Sequence, residues 1–366
     1  MVLEGDFLHE NILKPIKESH AGIVKYLNNP NYTKEDVEAI FTPDWDVLRH
    51  VRIIKQSYDF GFDSIDALID DLETGLKTFN TRLDYNLNLA YDGRSVVGDK
   101  PEDLQDRAYG DNDVRARHGR THGTHVSGII AAKRHNGIGI NGAANRVKIM
   151  AIRNTPSGDE YDKDVALGVY YAVDNGAKVI NMSFGKQFSP HSNWVRDAIS
   201  YAAKNDVLIV AAAGNDAQNT DEINYFPNDQ IDNGEEVSNT FLKVGSIGPK
   251  YGSTMVASYS NYGKNTVDVF APGSEIYSTY PKESYEFASG TSMAAPLVSG
   301  VAALVFSQYP SLSAAQVKQL LVSSGIPINK KVSLENGAVV PFDELSKSGK
   351  LVNAYNALLM ASKLSK

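Results

Sequence analysis

Three short stretches of the chain set reactive side chains among small ones. Ser289-Gly290-Thr291-Ser292-Met293-Ala294-Ala295-Pro296 runs into an apolar helical stretch, 298–306, so Ser292 is expected at a helix amino terminus. Helix-end N–H groups and the macrodipole favour negative charge there, and Gly290 with the alanine pair keeps bulk away from an approaching substrate. That position suits a nucleophilic alkoxide. His122-Gly123-Thr124-His125-Val126-Ser127-Gly128-Ile129 also opens a helix, with His122 and His125 on one face. Two histidines at this spacing lack the third ligand and the carboxylate that a zinc centre requires, so no metal site is assigned. His125 is expected as a structural, hydrogen-bonded residue, and His118 and His135 as ordinary loop residues. Ala212-Ala213-Gly214-Asn215-Asp216 ends an apolar run, where the Asn215 amide can donate to a developing oxyanion.

These stretches need a scaffold, and the chain supplies one from Arg146 onward. Apolar runs at Val147 (VKIMAI), Lys178 (KVINM), Val207 (VLIVAAA) and Phe241 (FLKVGSI) alternate with helical segments over 162–175 and 193–204. That grammar predicts parallel βαβ units, hence a buried parallel sheet covered by helices on both faces. Small and polar residues follow the runs at 181–185, 213–216 and 271–274, where strands of such a sheet present functional groups. The first third, to about Asp113, reads as polar-faced helices without a catalytic motif. Further helices are expected over 313–323 and 351–364.

Taken together, HisGlyThrHisVal, AlaGlyAsn and GlyThrSerMetAlaAlaPro, in that order, resemble the subtilisin-like serine protease family over 113–324. The resemblance implies a three-layer α/β/α fold with a mainly parallel central sheet and a helical insertion on its N-terminal side. The domains expected are a helical region over 1–113, a peptidase domain over 114–330, and a tail over 331–366 whose final helix packs on that domain. By the same similarity Ser292 is the nucleophile, His122 its general base, and Asn215 the oxyanion donor beside the Ser292 backbone N–H. Ser183, Phe184 and Gly185 would pair substrate backbone by strand addition. Ala212, Ala213 and Gly214 would wall the first specificity pocket with Phe184 lining it, and such small walls suggest large apolar side chains as its occupants. Substrates would be polypeptides. No cofactor is identifiable, and calcium enters only as something the family often binds.

One part of that family's machinery is absent from the pattern: an apolar strand ending in Asp-Ser-Gly or Asp-Thr-Gly upstream of the histidine. Asp59 in Asp59-Phe60-Gly61 is the nearest formal match, but Lys55-Gln56-Ser57-Tyr58 would put polar groups in a buried strand. Asp99, Asp111 and Asp113 are loop acids. The expectation is a serine endopeptidase working through an acyl-enzyme; the alternative is a truncated or impaired relative that binds extended peptides without efficient cleavage. An esterase would place its serine in Gly-x-Ser-x-Gly, which Ser292 does not occupy.

Composition narrows the classes further. Across 366 residues, 42% hydrophobic and 22% charged describe a folded globular chain, and the net charge of -8 without a Lys/Arg cluster argues against a nucleic-acid partner. The chain has no cysteine, so sulfur chemistry is silent on compartment. The start, MVLEGDFLHENILKPIKE, lacks a basic region followed by an apolar one, and no segment is expected to reach membrane-spanning length. With Met1 as the natural start the protein would be cytoplasmic; the missing strand favours a longer, exported full-length protein.

Overall fold

A computed structural model describes residues 7–88, 90–115, 121–155, 158–231 and 234–364; His118 lies outside them. The chain divides into two compact units, Met1–Gly98 and Asp99–Lys366, so residues 99–113 go with the second unit rather than with the helical region. The first unit holds α1 (Lys14–Leu27), α2 (Lys34–Glu38), α3 (Trp45–Tyr58) and α4 (Ile65–Thr81). Local chemistry starts three of these: Thr33 and Asp36 form a capping box, the Asp44 carboxylate accepts from Asp46 N and Val47 N, and Ser64 accepts from Ala67 N. Their apolar faces meet in a core of Ile16, Ile23, Val37, Val51, Ile54, Ile65 and Leu68.

The second unit is built on a sheet. Its helices are α5 (His122–Ala131), α6 (Asp162–Asp174), α7 (Ser192–Lys204), α8 (Thr291–Gln308), α9 (Ala314–Ser323) and α10 (Ala354–Leu364). Strands β1 (Val179–Met182), β2 (Leu208–Ala212), β3 (Phe241–Ile247) and β4 (Val269–Pro272) run parallel in that order. A hairpin of β5 (Ile276–Tyr280) and β6 (Ser284–Ala288) follows, then the short β7 (Ile326–Pro327), β8 (Lys331–Ser333), β9 (Val339–Pro341) and β10 (Lys350–Leu351). β10 extends the sheet parallel to β4 and β7 closes it antiparallel, while β8 and β9 pair separately.

Alternate residues of β2 and β3 divide between two cores. Leu208, Val210, Leu242 and Val244 pack with α8, α9 and α10, whereas Ile209, Ala211 and Phe241 pack with α6 and α7. This is the three-layer α/β/α arrangement, with its mainly parallel central sheet, that the alternating runs predicted.

Two expectations fail here. Val147–Ile152 forms no strand: Ile149, Met150 and Ile152 stay 45%, 41% and 36% exposed. An apolar run becomes a strand only when a neighbour accepts its backbone bonds, and among the described residues none does. Consistently, among the described residues β1 pairs on one side only, and of its residues only Met182 is buried. Second, α8 is long and apolar enough by length and composition to cross a membrane, with mean hydropathy 1.3 over 18 residues. It is instead the central helix of the larger core, with Ala294, Ala295, Val298, Ala302 and Val305 fully buried.

Candidate active site

Ser292 occupies the first turn of α8, as the small residues before it predicted. The start of that helix is held from the loop after β2: Thr291 N donates to Asn215 Oδ1 at 2.9 Å, and Thr291 Oγ1 donates to the same oxygen at 3.0 Å. Because Oδ1 is occupied as acceptor, the amide orientation is set and Nδ2 is the donor left to face outward. A Cβ at Gly290 would stand 3.6 Å from Asn215 Nδ2 and 3.6 Å from Ser292 N. The same point is 3.7 Å from Asn215 Oδ1, so the Asn215 amide and the Ser292 backbone N–H border one small space beside Gly290.

The loop carrying Asn215 is held by Asn261, a fully buried residue that the sequence motifs did not single out. Its Nδ2 donates to Ala213 O at 3.0 Å, its Oδ1 accepts from Asp216 N and Gln218 N at 3.0 and 2.9 Å, and its N donates to Gly214 O at 3.0 Å. Gly214, at φ +105°, has no room for a side chain beside Asn261 and Tyr225.

Helix α5 opens at His122 and packs on α8 through Val126, Ile129 and Met293. The β5–β6 hairpin ties the two together: Ser278 Oγ donates to His125 O at 2.8 Å, Thr279 Oγ1 to Thr124 O at 2.9 Å, and β6 leads directly into Gly290. His125 Nε2 donates to Ile276 O and Glu286 O at 3.0 and 3.1 Å, which makes it the structural histidine expected. The His122 side chain reaches solvent, yet desolvation by surrounding protein, with a smaller effect from His125, lowers its pKa below the ordinary imidazole value.

Ser292 and His122 sit on packed helices but share no hydrogen bond; Ser292 Oγ donates instead to Ser183 O at 3.1 Å. Ser183 follows β1 and is buried, with Phe184 and Gly185 continuing toward the Lys186–Phe226 bridge. Ala212 ends β2, and Ala213 and Gly214 follow it, all three buried.

No carboxylate is bonded to the His122 ring among the described residues. Asp59 caps α3 in the first unit, 74% exposed at 3.8 Å from Lys34 Nζ, so the formal match at 59–61 ends a helix and not a strand. Asp99 lies buried against Lys163 Nζ at 2.8 Å, Asp111 accepts from Asp113 N, and Asp113 grips Arg115 at 2.8 and 2.9 Å.

Residues 65–345 match the model of a protein family described as the subtilase family. The chain belongs to the subtilase family. Thermitase of Thermoactinomyces vulgaris is 38% identical over 254 residues, 68% of this chain and 78% of the relative. The cell wall-associated protease of Bacillus subtilis (strain 168) is 36% identical over 224 residues, 61% of this chain but only 23% of that longer protein. Among solved structures, a protease from Pseudoalteromonas arctica superposes with a TM-score of 0.54 at 31% identity, covering 69% of this subtilase and 75% of that chain. At the level of the family, the protein is a serine protease whose substrates are polypeptides.

Proposed function

We propose that this subtilase is a serine endopeptidase acting through Ser292, and the observation that carries the reading is the space beside Gly290 flanked by Asn215 Nδ2 and Ser292 N. A peptide carbonyl oxygen in that space gains two donors as it becomes an oxyanion. Ser292 Oγ attacks the carbonyl carbon while His122 accepts its proton. The C–N bond then breaks as that proton passes to the amine nitrogen. Water, deprotonated by the same imidazole, releases the acyl group as a carboxylic acid and restores Ser292. For this sequence the Ser292 hydroxyl must turn from Ser183 O toward His122, a tightening common when substrate arrives. Substrate backbone would align along Ser183, Phe184 and Gly185, with Ala212, Ala213 and Gly214 opposite.

The acid that orients His122 would be carried by a further apolar strand on the free edge of β1, whose half-buried residues and the unpaired apolar run 147–152 both call for a neighbour. An exported setting is supported by the cell wall-associated relative. The test is labelling by a fluorophosphonate in a chain extended upstream by an apolar strand ending in aspartate. Modification of Ser292, lost in Ser292→Ala, is expected; an unlabelled serine in the folded extended chain would sink the reading.

The second reading, peptide binding without cleavage, draws on His122 having no bonded carboxylate among the described residues and on Ser292 resting against Ser183. It predicts saturable binding of an extended peptide with no labelling.

A further inference from the structure

Between the two segments proposed to hold substrate stands one side chain that belongs to neither. Tyr225 is half-buried, and the Cε1–Cζ edge of its ring touches both glycines. A Cβ on Gly185 would lie 2.5 Å from Tyr225 Cε1 and 2.7 Å from Phe226 O, and one on Gly214 would run into Asn261 Nδ2 and lie 2.5 Å from Tyr225 Cζ and 2.6 Å from Cε1. One ring edge therefore fills the gap between the segment after β1 and the segment after β2.

The backbone around the ring is held from several sides. Lys186 N donates to Phe226 O at 2.9 Å and Phe226 N to Lys186 O at 2.8 Å, an antiparallel bridge immediately beyond Gly185 and Tyr225. The buried Lys243 donates through Nζ to Tyr225 O at 3.0 Å, and Gly214 is tied through its N to Thr291 Oγ1 at 3.1 Å and through its O to Asn261 N at 3.0 Å. Burial, with the carboxylates of Asp216, Glu160 and Asp159, raises the phenol above its ordinary pKa, so the ring stays neutral.

We propose that Tyr225 closes the first specificity pocket, so that this subtilase accepts glycine, alanine or serine on the acyl side of the scissile bond and rejects large apolar residues. The inference rests on the proposed placement of substrate between Ser183–Gly185 and Ala212–Gly214. It reverses the preference that small pocket walls suggest when only Ala212, Ala213 and Gly214 are considered. A side chain larger than a hydroxymethyl group entering between the glycines meets the ring edge, and displacing the ring means breaking close packing that Phe226 O and Asn261 Nδ2 share with it.

The test uses two peptidyl diphenyl phosphonates that differ only in the residue beside phosphorus, alanine or phenylalanine, with diisopropyl fluorophosphate as the reference that needs no pocket. After normalisation to the reference, the alanine compound is expected to label Ser292 about tenfold faster or more. Tyr225→Gly should invert the order, and Tyr225→Phe, which keeps the ring, should preserve it. Equal or faster labelling by the phenylalanine compound, with the reference still reacting, overturns the pocket inference and leaves the endopeptidase reading standing. No reaction even with the reference, in the folded chain extended upstream by the aspartate-bearing strand, overturns both.

Discussion

Ser183 and Ser292 hold each other twice: Ser183 Oγ donates to Ser292 O at 2.8 Å, and Ser292 Oγ donates to Ser183 O at 3.1 Å. Asn181 Nδ2 donates to Ser183 Oγ at 2.9 Å and Ser299 Oγ donates to Asn181 Oδ1 at 2.9 Å, so the pair continues into a short chain of bonds from β1 to the middle of α8. Ser183→Ala is expected to lower stability by about 1–3 kcal/mol, because Ser292 O loses a donor in a buried place. The shift in urea midpoint measures it.

Asn215→Leu keeps side-chain size, removes the cap on Thr291 N and removes one of the two donors beside Gly290. Turnover is expected to fall about 10²–10³-fold, the magnitude known for such a donor in a subtilisin, with a much smaller change in KM. A change confined to KM would assign Asn215 to substrate binding alone.

The acid limb of kcat/KM should lie below the ordinary imidazole value of 6.5, because desolvation holds the His122 pKa down. A base must be neutral to accept a proton, so a depressed pKa extends activity toward lower pH. An ionised carboxylate brought beside the ring favours imidazolium, so extending the chain by a strand ending in aspartate should raise the limb. The pH profiles of the two chains, read by rate of fluorophosphonate labelling, check both directions.

Much of this scaffold could be read before the fold was known, and the exceptions are instructive. β2 and β3 were plain because every residue in them is buried, so β2 reads as an unbroken apolar run and β3 as one interrupted only by Lys243, Gly245 and Ser246. The run at Val147 carries the same signal and forms no strand, since pairing depends on a neighbour and not on composition. The β5–β6 hairpin escaped notice because its turn uses Lys282 and Glu283 at φ 65° and 59°, where asparagine or glycine ordinarily announces the reversal. Ser292 and Asn215 stood out through their small neighbours, whereas Asn261 acts on a loop more than 40 positions away and Tyr225 on a glycine 40 positions away as well as on one 11 away, beyond the reach of local patterns.

Lys163 and Asp99 form an ion pair with side chains 2% and 0% exposed, and Lys163 Nζ also donates to Lys100 O at 2.8 Å. Lys163→Ala strands a buried carboxylate, and a loss of about 3–5 kcal/mol is expected on thermal or chemical unfolding of the chain. Replacing both residues by apolar ones of similar size should recover most of it.

Amide exchange separates the edge of the sheet from its centre. Val179–Met182 should exchange faster than Leu208–Ala212, because β1 has a partner on one side only among the described residues, and little cover. A peptide strand that binds the free edge should slow β1 selectively.

The helix that presents Ser292 is also the one around which the largest apolar core of the second unit is assembled. Its nucleophile therefore has no local hinge through which to lose its shape while the rest stays folded. Heating should extinguish the reactivity of Ser292 at the same temperature as the near-ultraviolet dichroism of the second unit's aromatic residues, making the covalent probe a thermometer for the integrity of the whole interior.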